Sequence, residues 1–407
     1  MRSFSTNSAH DGAAISMPKN VMTIGTMSMS KRPVSSTAVA LALGVAAWLA
    51  LAPGARAQTA PDAVAQTRAV VRAAKAFSAS LSPAQREHAL LAFAPEKAAS
   101  LARFSPNASP GGPPKGPAGG FIGEKYGLAV WSNYPVSDVP RPGVRLGSLN
   151  ATQRASAMHL MQTVLSAEGY RKMREVMGSD QALSLGEKHF AAGEAVYTIA
   201  LFGNPDPVTP WMLQFGGHHL AINLVVAGAH GVLTPTMTGA QPAVYASKGR
   251  TVRVLAAEND KAFALLDTLV PAQRQKAILN YRVEDLVLGP GHAGETIVPE
   301  GLRGADMDER QKALLLDLIA EWAGIVNAAY AAPRMQELAA DLDDTWFAWS
   351  GPTTHEPGRN GSAYYRIQGP RLHIEFSPQG VGGDSTMHVH TVYRDPTNDY
   401  GVRSTRP

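Results

Sequence analysis

Leu372-His373-Ile374-Glu375-Phe376 and Met387-His388-Val389-His390-Thr391-Val392-Tyr393-Arg394-Asp395-Pro396 are the stretches that decide the fold. The first alternates apolar and polar residues, and the second places two histidines two residues apart. On a strand, residues two apart face the same side. His388 and His390 therefore point together, and so do His373 and Glu375. Gln379-Gly380-Val381-Gly382-Gly383-Asp384 between them has the composition of a turn, so the two strands are predicted to form a hairpin.

The same spelling occurs earlier in the chain. Trp211 to Gln214 leads into Leu220-Ala221-Ile222-Asn223-Leu224, much as Tyr365 to Gln368 leads into Leu372 to Phe376. Gln214 to Gln368 and Pro242 to Pro396 share one offset of 154 residues. Helix starts repeat as well, at Ser82-Pro-Ala-Gln85, Asn150-Ala-Thr-Gln153, Val270-Pro-Ala-Gln273 and Asp306-Met-Asp-Glu309, each followed by Arg. A Ser, Asn or Asp with Gln or Glu three residues on is a capping box, and Pro83 and Pro271 fit the first helical turn. Recurrent spelling at a fixed spacing dictates architecture. The expected fold is α+β: two related halves of helices plus antiparallel sheet, residues 58–250 and 251–407, packed as one unit, with the second half carrying the HxH motif. A helical opening is expected from Asp62 to Phe104, and the Pro/Gly-rich stretch 107–120 reads as a loop.

The chain has 407 residues and no Cys, which excludes disulfides, thiolate zinc sites and cysteine nucleophiles. Its net charge of +4 lies wholly in residues 1–57, where Arg2, Lys19, Lys31, Arg32 and Arg56 face Asp11 alone. A formally neutral remainder lacks the footprint of a nucleic-acid binder. Lys31-Arg32, the apolar run Ala38–Ala52 and Ala55-Arg56-Ala57 make a secretory signal peptide with an upstream extension. Cleavage after Ala57 is expected, leaving an extracytoplasmic (periplasmic or secreted) protein with no membrane span.

Where the halves differ, chemistry is indicated. Thr234, Thr236 and Asn223 stand where the second half has His388, His390 and Glu375. The first half adds Gly216-Gly217-His218-His219. Adjacent residues on a strand face opposite ways, so one of the two histidines is expected to join a cluster; keeping His219 in phase with Asn223 favours His218. Imidazole pairs two apart with a carboxylate nearby suit a divalent transition metal, zinc or copper. His218, His219, His388 and His390 are thus the candidate metal ligands, Glu375 is a fourth ligand or general base, and Arg394 is a clamp for an anionic substrate. More simply, Arg394 pairs with Asp395 or Asp399 to lock the C-terminal turn. Gly289-Pro-Gly291-His-Ala-Gly294 satisfies GxGxxG, but Thr296-Ile-Val-Pro follows where a dinucleotide site needs a helix. Trp346, Phe347, Trp349, Tyr364 and Tyr365 read as core.

Ala363-Tyr-Tyr-Arg-Ile-Gln-Gly-Pro370, Ile374-Glu375-Phe376, His388-Val-His390-Thr-Val-Tyr-Arg394-Asp395 and Asn398-Asp-Tyr-Gly401 resemble the signature of the domain-of-unknown-function 3500 family. Gly217-His218-His219 with Asn223, and Trp346-Phe-Ala-Trp349, are similar to it too, so the likeness spans about Leu81 to Gly401. It implies an exported protein of bacterial or fungal type, with His218, His219, Glu375, His388, His390, Arg394 and Asp395 at motif positions. It supplies no reaction. His373 stands where relatives are expected to be apolar, and it is left out of the site. The readings that follow are an exported metal-dependent enzyme, a hydrolase by default, acting on a small molecule; a copper-type oxidoreductase using the same histidines; or a non-catalytic protein binding a small ligand or metal.

Overall fold

Asp62 accepts hydrogen bonds from the Val64 and Ala65 amides and so starts helix α1 (Ala63–Ser80). The structure, a computed structural model, describes residues 62–94, 100–104, 120–186, 193–381 and 383–405. The expected leader lies outside the described residues. The chain divides into two units, Met1–Gln58 and Thr59–Pro407, and the described residues all belong to the second.

Ser82 and Gln85 form the expected capping box of α2 (Pro83–Ala89). The helical opening ends there, not at Phe104. Leu90 leaves the helix to enter the sheet as β1 (Leu90–Leu91), and β2 (Ser100–Phe104), β3 (Phe121–Tyr126), β4 (Ala129–Trp131) and β5 (Val144–Arg145) follow. Tertiary pairing overrides the local helical preference of that segment. Asn150 with Gln153 caps α3 (Ala151–Val164), and Ser166 caps α4 (Ala167–Leu185). Next come β6 (Thr198–Phe202), β7 (Trp211–Gly217), β8 (Leu220–Ala227), β9 (His230–Val232), β10 (Thr236–Ala240) and a hairpin of β11 (Val244–Ser247) and β12 (Arg250–Arg253).

The second stretch runs α5 (Ala256–Thr268), α6 (Pro271–Ala277), β13 (Leu302–Arg303), α7 (Glu309–Ala323) and α8 (Ala328–Ala340), then β14 (Trp346–Ser350), β15 (Tyr364–Gly369), β16 (Leu372–Pro378), β17 (Val389–Arg394) and α9 (Val402–Thr405). The fourth capping box starts α7 at Asp308 with Gln311, two residues later than expected. Val270 has no side-chain acceptor, yet its amide still donates to Gln273 at α6.

Most strands form one large sheet in the order β1-β6-β7-β8-β10-β17-β16-β15-β14-β13, with β5 beside β6 and β9 beside β8, while β2-β3-β4 and β11-β12 pair separately. Pairing is antiparallel except for β1 beside β6. The hairpin expected from the opening motifs is present: Ile374 pairs with Tyr393 and Ser377 with His390. One face carries Leu213, Phe215, Ile222, Leu224, Tyr365, Ile367, Ile374 and Phe376, packed with helix residues such as Phe77, Leu160, Leu266 and Trp322. The fold is thus α+β, helices on sheet; of the aromatic residues read as core, Phe347, Trp349 and Tyr365 are in it, Tyr364 is buried on the opposite face with its hydroxyl on Glu375, and Trp346 is only partly buried.

The opposite face is unusual. Asn223, Gln214, Arg366, Gln368, His373, Glu375, Ser377, His390 and Arg394 alternate with the apolar set and are all buried. Burying polar groups is tolerable only where partners satisfy them. For Glu375, Gln368, Arg366 and Arg394 those partners come from segments covering this face, β3 and the stretch from Val287 to Glu300, while Gln214 and Asn223 bond to each other and to the Pro235 carbonyl. Among the described residues no helix is long and apolar enough to cross a membrane.

Candidate metal centre

Three imidazoles meet at one end of the polar face. The Nε2 atoms of His219 and His390 each lie 3.1 Å from Nε2 of His388. The set His219, His388, His390 offers nitrogen atoms all within 4.8 Å of one another. A tetrahedral ion with bonds of ~2.0–2.1 Å to imidazole needs donor atoms about 3.3 Å apart, so the residues fit a divalent transition metal.

Each imidazole is placed for a physical reason. His390 is in β17 and His388, extended (φ −140°, ψ 123°), stands immediately before it, so the two are two apart on one line of chain and share a side, as expected. His219 arrives through the hairpin joining β7 to β8, whose turn is His218-His219. Its φ is +60°, in the left-handed region that non-glycine residues seldom occupy. Gly239 lies opposite His390 on β10, and a Cβ there would stand 3.3 Å from the His219 Cβ and Cδ2. Glycine keeps that space for the ring.

His219, not His218, joins the cluster. Strand alternation does not apply, because both residues belong to a turn rather than a strand. The His218 ring stacks on His219 with centroids 3.7 Å apart, and its Nδ1 lies 2.9 Å from Asp180 Oδ1. It is therefore a neighbour of the centre and stands outside the ligand set.

Burial disfavours the charged form of two of the ligands, His388 and His219. Burial first, then the charge of His390, pull the His388 imidazole down to about 3. Burial and the neighbouring His218, His390 and His388 hold His219 well below its ordinary value. Neutral imidazoles expose lone pairs without competition from protons. His388 Nδ1 sits 3.0 Å from the Val381 carbonyl, which places the proton on Nδ1 and frees Nε2.

Glu375 and Arg394 do not share this hollow, which corrects the expected convergence. The register pairs Ser377 with His390 but Glu375 with Val392 and His373 with Arg394, so both charges lie further along the ladder. The four acceptor positions of Glu375 are taken by the Val287 and Leu288 amides, the Tyr364 hydroxyl and His373 Nε2, at 2.6–2.8 Å. Burial alone would raise its carboxyl, but His373 and the two amides outweigh that and hold it below the usual range. Arg394 donates to the Leu288 and Gly289 carbonyls, to Glu124 and to Asp399, with Trp131 under its guanidinium. Asp395 pairs with Arg334 at 3.1 Å. The simpler expectation for Arg394, a lock on the C-terminal turn through Asp399, describes what is found.

These two side chains therefore fasten a loop. Glu375 grips the amides of residues 287 and 288, Arg394 the carbonyls of 288 and 289, and Glu124 the amides of Gly291 and His292. The loop brings Asp285 to 3.8 Å from His390 Nδ1, beside the Asn133 amide at 3.4 Å. Neither Asp285 nor Asn133 carries a local sequence signal, and only the folded chain brings them here. Gly289 to Gly294 forms part of this loop and opens no helix, as expected. A hollow of about 270 Å³ adjoins His388, lined by Leu183, Pro242, Val381 and Met387 among others.

A family model described as Protein of unknown function (DUF3500) matches residues 122–402. The match takes in most of the chain, all three clustered histidines and every motif on the polar face, and the chain belongs to that family. No curated protein and no solved structure matches it.

Proposed function

We propose that the protein is an exported metal-dependent enzyme whose centre is His219, His388 and His390, with hydrolysis of a small molecule as its chemistry. The observation that carries the reading is the meeting of three buried imidazoles, with the Nε2 atoms of His219 and His390 each 3.1 Å from that of His388. Zinc or copper suits three imidazoles, and three protein ligands leave a fourth position open, as catalytic sites require. A divalent ion there supplies Lewis acidity to whatever occupies that position. The chain buries His219 and His388 so that their charged forms are disfavoured, fixes His388 through the Val381 carbonyl, and offers the mainly apolar hollow beside His388 to the body of a substrate. The leader argues for action outside the cytoplasm, where a Cys-free site keeps its ligands in an oxidising setting.

Native mass spectrometry of protein recovered from a secreting host tests the whole reading. The expected result is a chain beginning at Gln58 and carrying one transition-metal ion. His388→Ala and His219→Ala are expected to lose the ion, and His218→Ala to keep it. Metal-free wild-type protein, after incubation with zinc and copper in turn, would end the proposal.

We also infer that the two halves descend from one duplicated unit. In support, the glutamines of the capping boxes pair reciprocally in both halves, Gln85 with Gln153 and Gln273 with Gln311. Met237 pairs with Val392 and Thr238 with Thr391, a register symmetric under the 154-residue offset. Failure of residues 62–240 to superpose on 256–394 would remove the inference.

A further inference from the structure

The further step concerns what surrounds the three ligands, and it rests on the metal reading above. A histidine that binds an ion through Nε2 carries its proton on Nδ1, and that proton needs an acceptor to hold the ring in place. His388 has one in the Val381 carbonyl. His219 Nδ1 has no hydrogen-bond partner among the described residues. His390 Nδ1 faces two groups, the Asn133 Nδ2 at 3.4 Å and Asp285 Oδ1 at 3.8 Å. The amide nitrogen is a donor and cannot accept the proton. The carboxylate can.

Asp285 is also held in place. Its Oδ1 accepts from the Leu286 amide at 2.7 Å and from Gln379 Nε2 at 3.0 Å. Gln379 is itself buried beside the site: its amide donates to the His388 carbonyl at 2.8 Å and its side chain to Ser377. The two following loop residues, Val287 and Leu288, are gripped by Glu375. An exposed aspartate fixed from both sides, with its carboxylate aimed at a ligand ring, has the placement of an outer carboxylate.

We propose that Asp285 is the positioning carboxylate of this centre, accepting the Nδ1 proton of His390 and thereby setting that ring's orientation and its strength as a ligand. Asp285 is distinct from the ligands and lies on the far side of the His390 ring from where the Nε2 atoms meet.

Cobalt(II) is the probe, added to the full chain and followed by its visible absorption and by titration. Asp285→Asn is expected to weaken cobalt binding roughly 10- to 100-fold and to shift the absorption bands, because outer partners tune both affinity and geometry. Asp285→Glu is expected to restore most of both. Thermal unfolding of the metal-free proteins should be the same for Asp285→Asn and wild type, since Asp285 is exposed; where Asp285→Asn fails to fold, Asp285→Ser is titrated in its place, with the same loss of affinity expected and wild-type affinity overturning the inference. Wild-type spectrum and affinity in Asp285→Asn would overturn the inference, as would a band shift produced by Asn133→Ala and not by Asp285→Asn. Wild-type protein that binds no cobalt would instead defeat the metal reading itself.

Discussion

His219 shows how much depends on one residue's backbone. Its left-handed φ of +60° turns the ring out of the β7–β8 ladder and lays it across Gly239, toward His388 and His390. Gly239→Ala tests this directly. The new Cβ would stand 2.6 Å from the Val389 carbonyl oxygen and 3.3 Å from the His219 ring, so the backbone or the imidazole has to shift. Overpacking of this kind costs about 1–3 kcal/mol. The expected outcome is that loss in urea unfolding together with at least a tenfold weaker metal affinity. Undiminished affinity in a destabilised variant would mean the ring does not lie where Gly239 leaves room. The choice between His218 and His219 was not legible in the sequence, because it turns on whether the pair sits in a strand or a turn. The HxH spacing was legible, since a strand's period fixes it.

At the scale of elements, the β16–β17 hairpin could be read from alternation and a glycine-rich turn, and its buried polar face followed. What the buried charges do on that face could not be read. Glu375 and Arg394 look catalytic as letters, but their partners are loop amides and carbonyls about a hundred residues earlier, which no local pattern encodes. The far end of this face gives a pH-dependent prediction. Arg394 lies between Glu124 and Asp399, with Tyr400 donating to Glu124, all of them buried. Burial, reinforced by Glu124 and opposed by Arg394, pushes the Asp399 carboxyl from 3.8 up to about 7. The folded state therefore holds a proton that the unfolded chain releases, and the resulting stability is present below pH 3.8 and lost as pH rises through 7. Urea unfolding of wild type and Asp399→Asn between pH 4 and 8 reads this. The wild type's stability relative to the variant should fall with rising pH, and a difference that stays flat would show Asp399 to be ionised throughout.

For the molecule as a whole, the centre joins distant parts of the chain. His219 comes from the turn before β8, His388 from the residue just before β17 and His390 from β17 itself, with β10 between β8 and β17. The β10–β17 pairing is the seam along which the early and late strands become one sheet, so assembling the sheet and assembling the ligands are the same event. Lys248 and Gly249 form the exposed tip of the β11–β12 hairpin, both with positive φ, and no ladder bond crosses the cut between them. A chain divided there gives one fragment that ends at Lys248 and another, 249–407. Each would present an unpaired central strand and a buried polar face lacking some of its partners, Glu124 in one and Arg394 in the other. Neither is therefore expected to fold alone or to bind a metal tightly. Mixed, they are expected to recover the far-ultraviolet circular dichroism of the intact chain and its cobalt absorption together, in one step of a titration. Recovery of the fold without the absorption would separate the two events. A tight cobalt site in 249–407 alone would show that His388 and His390 suffice, and that His219 is no part of the centre.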